Sequence, residues 1–227
     1  MKKTLFFLVM LTFGISSAQE ETKENKKVAL DFYFGIGLQA HDEYNLNKRL
    51  MNANVAEIET VMPELSFGLN FFGEKYSGDA EFGFLFSKNS FENTKNQYVG
   101  FTSRVRVHYN LVNKEKVAFT TGLSLSSTSS DLSIYSRNNV IDFNDLNPAN
   151  NGGQIRIRNQ VFFAGPSVSV YLFKNKKVRL NAGYDFAFTN GRWKSDYAST
   201  QNRVKENGNN RFVFGISLLY VIISRNI

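Results

Sequence analysis

The sequence predicts an all-β protein: a single closed antiparallel transmembrane β-barrel of about eight strands, preceded by a cleavable signal peptide. Three observations predict it. Eight stretches beyond Lys27 alternate apolar and polar residues with period two. The connections between them alternate short and long, and 22 Phe with 10 Tyr coexist with an overall polar composition.

The chain opens with Lys2 and Lys3, an apolar run from Leu5 to Ile15 and the small residues Ser16, Ser17 and Ala18 before Gln19. That order matches a secretory signal peptide cut after Ala18, and the run is shorter than the roughly 18 apolar residues of a spanning helix. The expected division is therefore 1–18 signal peptide, 19–27 short periplasmic segment and 28–227 barrel domain. Without Lys2 and Lys3 the chain keeps 25 basic against 20 acidic residues, a net of +5. These charges are dispersed, which argues against nucleic acid as a partner. The absence of cysteine excludes a lipoprotein anchor, disulfides and thiolate chemistry.

The first stretch sets Leu30, Phe32, Phe34, Ile36 and Leu38 against Asp31, Tyr33, Gly35, Gly37 and Gln39. The second sets Leu65, Phe67, Leu69 and Phe71 against Glu64, Ser66, Gly68 and Asn70. The third has Ala80, Phe82, Phe84 and Phe86 facing away from Asp79, Glu81 and Gly83. The fourth has Val99, Phe101, Val105, Val107, Tyr109 and Leu111 opposite Thr102, Arg104, Arg106, His108 and Asn110. In the fifth, Val117, Phe119, Leu123 and Leu125 oppose Thr120, Gly122 and Ser124. In the sixth, Val168, Val170 and Leu172 oppose Ser167, Ser169 and Tyr171. The seventh places Val178, Leu180, Ala182, Tyr184, Phe186 and Phe188 opposite Arg179, Asn181, Gly183 and Asp185. The eighth places Phe212, Phe214, Ile216, Leu218, Tyr220 and Ile222 opposite Gly215 and Ser217.

Long connections are expected at 41–60, 87–97, 126–154 and 190–210, and tight turns at 73–75, 113–116 and 174–177. Short turns then share one end with both termini, the periplasmic end of an outer-membrane barrel. Leu46, Leu50 and Ile58 suggest one side of a short helix in the first long loop. The Ser126-Ser127-Thr128-Ser129-Ser130, Asn150-Asn151-Gly152-Gly153 and Asn207-Gly208-Asn209-Asn210 runs read as solvated, mobile loop. Pro166 falls inside the sixth stretch. The apolar residues before it (Ile155, Ile157, Val161, Phe163) are odd-numbered and those after it even, which predicts a β-bulge near Ala164 to Pro166.

Period two does not say which face is inside, and a soluble barrel would turn its apolar face inward. Nine of 16 glycines lie on the polar face, suiting a narrow, tightly curved interior. The bulky Phe face suits unlimited lipid space.

This plan, together with the lysine-bearing turns Asn70 to Lys75, Asn110 to Lys116 and Tyr171 to Lys177, resembles the small OmpA/OmpX-type and porin-like outer-membrane β-barrel family. The resemblance covers residues 28–223 and implies residence in the bacterial outer membrane after export through the periplasm. It implies outer-membrane lipids and the barrel assembly machinery as partners. The family's final strand usually ends on an aromatic residue, whereas here the chain continues through Ser224-Arg225-Asn226 to Ile227.

The concentrated chemistry is a set of facing charges: Asp31, Glu64, Asp79, Glu81, Arg104, Arg106, Arg179 and Asp185. A hairpin centred near residue 92 would put Glu81 opposite Arg104 with Arg106 diagonal. Buried charges must be paired, so the set reads as a lumen plug. No catalytic, cofactor or metal site is expected. His108 sits near a periplasmic turn without a His-x-Ser motif, and His41-Asp42 has no serine fixed beside it. The sequence therefore points to a non-enzymatic integral outer-membrane barrel with a mostly plugged polar lumen, acting in envelope structure or surface interaction. Loops 41–60, 126–154 and 190–210 are the expected contacts for an extracellular ligand. A narrow passive pore is the second reading, and a lipid A-modifying barrel enzyme the third.

Overall fold

The computed structural model describes residues 27–137, 154–173, 177–206 and 208–226. The expected signal peptide, most of the 19–27 segment and the 150–153 run lie outside the described residues. Eight long strands form the wall: β1 (Lys27–His41), β2 (Val61–Phe72), β3 (Tyr76–Phe91), β4 (Thr94–Asn113), β5 (Val117–Ser136), β6 (Gln154–Leu172), β7 (Val178–Ala187) and, after two short strands, β10 (Arg211–Asn226). The short strands β8 (Gly191–Arg192) and β9 (Lys205–Glu206) make a separate ribbon, and α1 (Asn47–Asn52) lies in the first long loop.

The long strands pair antiparallel with their sequence neighbours, and β10 pairs with β1 from Lys27↔Asn226 to His41↔Arg211, closing the ring. Closure leaves no row of unpaired backbone groups at the ring's edge, which is what lets a sheet stand in hydrocarbon. The short connections at 73–75 and 114–116 lie at the end that also carries the start of β1 and the end of β10.

The polar residues of the alternating pattern point inward and are buried, while Phe34, Ile36, Leu65, Phe84, Val107, Leu123, Phe186 and Leu218 point outward and are exposed. Aromatic rings touch across this outer face: Phe67 with Phe84 (6.2 Å between centroids), Phe84 with Phe101 (5.4 Å) and Phe82 with Phe101 (5.9 Å). An apolar belt running round the wall is far larger than the patches a water-soluble surface tolerates. In lipid it costs nothing, and charged interior and apolar exterior are then both in their preferred media.

Three expectations are corrected. No bulge forms near Ala164 to Pro166: β5 and β6 stay in one register from Val117↔Leu172 to Tyr135↔Gln154. Pro166 instead points outward, and the β6–β7 ladder skips from Ala164↔Phe186 to Ser167↔Gly183 without changing register, because proline brings no N–H there. Gly165 helps, since a Cβ at that position would run into the Tyr184 carbonyl of β7. The odd-numbered Val161 and Phe163 point inward, so the phase change in the sequence marks a change in what the lumen contains. Second, 87–97 is hardly a loop, because β3 and β4 pair up to Phe91↔Thr94. Third, residues 126–136 are strand, with Ser126, Thr128 and Ser130 buried inside, and Asn209 is buried too. The register shifts that do occur fall between Leu30 and Asp31, against β10, and between Asn110 and Val112, against β5.

Candidate functional site

The inward face of β3 and β4 builds the centre of the lumen. The β3–β4 register sets Asp79 opposite Arg106 and Glu81 opposite Arg104, the second as the sequence predicts. Arg106 Nε donates to both Asp79 carboxylate oxygens at 3.1 and 3.0 Å, and its Nη2 also reaches Glu81. Arg104 joins Glu81 to Glu64 of β2. Arg179 of β7 crosses the lumen to Asp79 at 2.9 Å and stacks over the Tyr33 ring, 4.1 Å from its centroid. Tyr33 in turn donates to Asp79 and Glu81 at 3.2 and 2.9 Å. Three guanidiniums thus share three carboxylates, all at most 3% exposed at the side chain. Gly83 makes the room, since a Cβ there would strike the Glu64 carboxylate.

Two sequence-predicted residues lie at the edges of this layer. Asp31 accepts from Asn70, which also binds Tyr171 and Arg179. Asp185 pairs at 3.0 Å with Arg211, a residue that falls between the expected 190–210 loop and the eighth stretch and belongs to neither. Arg211 also donates to Gln39, Thr128 and Ser126, and lies over the Phe163 ring at 4.0 Å. The missed signal is plain in retrospect: Arg211 has the phase of Val213, Gly215 and Ser217, one step beyond the alternation. Arg104 Nε and Arg179 Nε meet no acceptor, so the layer is not fully satisfied.

Apolar plugs close both ends. Toward the short turns, Tyr33, Phe72, Ala118, Tyr171 and Leu219 cluster, with Phe72 and Tyr171 edge to face at 4.8 Å. At the opposite mouth, Leu46, Leu50 and Ile58 of the first loop pack on Leu85, Tyr98, Leu132 and Trp193. Leu46 and Leu50 are held by α1, while Ile58 lies beyond the helix and is fixed by paired hydrogen bonds to Asn47. Glu206 of β9 fastens the mouth. Its carboxylate accepts from the Asn45 and Leu46 backbone N–H groups (2.7 and 3.1 Å) and from Trp193 Nε1 (2.6 Å). The Tyr44 phenol within this cluster is raised well above its ordinary range, chiefly by burial, so it stays a neutral hydroxyl. Sequence reasoning missed Trp193 and Glu206, which lie where no period exists to reveal an inward face.

Both histidines are buried. His41 meets Asn209 and Gln39, and His108 meets Thr120 and Ser167 at 2.8 and 2.7 Å. The His108–Ser167 contact comes from different strands and was invisible in the sequence. Among the described residues neither ring has a hydrogen bond to a carboxylate, and both rings are buried. Among the described residues, no group of three or more His, Cys, Asp or Glu side chains is placed to hold a metal ion.

A closed eight-stranded wall, apolar outside and ion-paired inside, is the architecture of a small outer-membrane β-barrel. No protein-family model matches the chain, and no curated protein matches it by sequence. Among solved structures, it is similar to Ail, the attachment invasion locus protein of Yersinia pestis, at 8% identity and a TM-score of 0.46, covering 87% of this chain and 100% of that one. A major outer membrane protein of Thermus thermophilus is similar at 9% identity and a TM-score of 0.45, over 85% of this chain and 100% of that one. The outer membrane protease OmpT of Escherichia coli is similar at 11% identity and a TM-score of 0.32, over 88% and 98%.

Proposed function

We propose that this protein is a non-enzymatic outer-membrane barrel whose lumen is a structural plug, and that it acts in envelope structure or through its extracellular loops. In this reading residues 1–18 direct export and are removed, and the assembly machinery inserts the barrel. The observation that carries it is the stack inside the wall: apolar cluster, ion-paired layer, apolar cap. A path for solute would have to break the Arg179–Asp79 bridge, which spans the lumen, as well as the Glu206 fastening. Both histidines, and the Ser167 hydroxyl beside His108, are buried within the packed interior, away from solvent and lipid, which supports the non-enzymatic reading.

Planar-bilayer recording tests it. The wild-type protein is expected to insert with little steady conductance; large, steady conductance would make it a pore. Mass spectra of lipid A from cells expressing the protein are expected to match those of cells without it.

A further inference from the structure

Above the lipid-facing belt the wall continues on one side only. Even-numbered residues of β6 face outward along its whole length, from Val168 and Phe162 up to Arg158 and Arg156. An isolated antiparallel bridge joins Arg158 to Lys194, so the separate β8–β9 ribbon docks beside upper β6 and the two residues share one outward face. The ribbon pairs Arg192 with Lys205, and the Trp193–Val204 hydrogen bond continues that register to set Lys194 opposite Arg203. Its other face carries buried Trp193 and Glu206. Six cations, Arg156, Arg158, Arg192, Lys194, Arg203 and Lys205, therefore stand on one outward face.

Two acids share that face. Asp131 pairs with Arg156 and Arg158, and Asp196 with Arg158. Among the described residues, no ion pair reaches Arg192, Lys194 or Lys205, and Arg203 Nε donates only to Thr200. Like charges directly opposite on a two-stranded ribbon destabilise it, so folding alone does not account for the arrangement; an anion laid across them would.

Height selects the anion. Below the cations, the exposed rings of Phe162 and Phe188 touch (6.2 Å between centroids), marking the upper rim of the belt on this side. The Arg158–Lys194 bridge sets Arg192, and with it Lys205, level with Gln160, two residues above Phe162 and about 5 Å higher for a tilted strand, with Arg158 and Lys194 one step above them. The headgroup zone begins at that rim and is about 5–8 Å deep. Soluble polyanions would approach from above, whereas this face looks sideways into the leaflet.

We propose that the outward face of upper β6 and the β8–β9 ribbon binds the phosphate groups of the surrounding outer-leaflet lipids, holding a phosphorylated glycolipid headgroup against the wall. This rests on the membrane reading above. Failure of that reading would show first, as a protein that does not insert into vesicles.

The test uses the full chain in zwitterionic micelles and measures retention of diphosphoryl lipid A. The R192Q/K194Q/R203Q/K205Q variant is expected to bind it at least about tenfold more weakly. R192K/R203K keeps the charge and is expected to bind like wild type, as is K75Q/K114Q, which changes the opposite end. Wild-type binding is expected to weaken steeply as salt rises to about 0.5 M, an arm that decides even if the fourfold variant fails to fold. Equal binding by the fourfold variant, or indifference to salt, overturns the proposal. Inorganic tripolyphosphate competing as well as lipid A at equal phosphate would also overturn it, by showing a site for soluble polyanions.

Discussion

The central ionic layer and the mouth cap both block the lumen, but they are built in opposite ways. Every member of the layer is held by a wall strand: Glu64, Asp79, Glu81, Arg104, Arg106 and Arg179 come from β2, β3, β4 and β7. The cap is held by connections: α1 and its flanks, the β8–β9 ribbon and the Glu206 carboxylate. A strand-held group cannot leave without opening the barrel, whereas a loop-held one can leave alone. The layer should therefore behave as part of the global fold and the cap as a separable local unit.

The largest expected effect comes from breaking the layer. Glu81→Ala removes a carboxylate shared by Arg104, Arg106, Arg179 and Tyr33. Stranding buried guanidiniums should cost about 3–5 kcal/mol of barrel stability, measured by reversible unfolding in lipid. Glu81→Ala with Arg104→Ala should lose less than the sum of the single changes, because the pair shares one interaction. Strict additivity would mean that water solvates the layer, and the contrast with the cap would disappear.

A change on the same strand but the opposite face sharpens the point. Phe84 lies three residues beyond Glu81 and faces lipid, packed against Phe67 and Phe101. Phe84→Arg should cost about 2–4 kcal/mol in a bilayer, and this loss should shrink in short-chain micelles that let water approach. The Glu81→Ala loss should not depend on the surrounding amphiphile, since the lumen is closed to it.

The two regions also differ in how legible they were. Alternation put Asp79, Glu81, Arg104, Arg106, Arg179 and Asp185 on one face, because a side-chain period of two leaves little choice, and the glycines of that face with the bulky Phe of the other turned it inward. The Glu81–Arg104 pairing followed from the hairpin centre near residue 92, where β3 and β4 meet at Phe91↔Thr94. Composition misled at 126–130, where a Ser/Thr run resembles a loop, yet small hydroxyl side chains are what a narrow lumen needs beside Arg211. The cap was illegible because Leu46, Trp193 and Glu206 meet only once the barrel has closed and brought residues some 160 positions apart together. No local period encodes that meeting.

The smallest effect falls on the cap. Glu206→Gln keeps the size of the side chain but replaces one acceptor oxygen with a donor, so the three donors it now gathers, two backbone N–H groups and the Trp193 indole, cannot all be served. The charge-assisted part of those bonds should be lost, about 1–2 kcal/mol. If the cap is a local unit, that loss appears as opening of the first loop against the β8–β9 ribbon, with the barrel's melting transition nearly unmoved. Trp193 is the only tryptophan, and it is 3% exposed. Its fluorescence should shift to the red and become accessible to iodide, and amide exchange should rise at Asn45 and Leu46 while the β3–β4 amides stay protected. Bilayer conductance should stay low, because the ionic layer below still closes the lumen. A drop in the barrel's melting temperature as large as that of Glu81→Ala, with exchange rising uniformly along the wall, would show that loop-held and strand-held blocks belong to one cooperative unit.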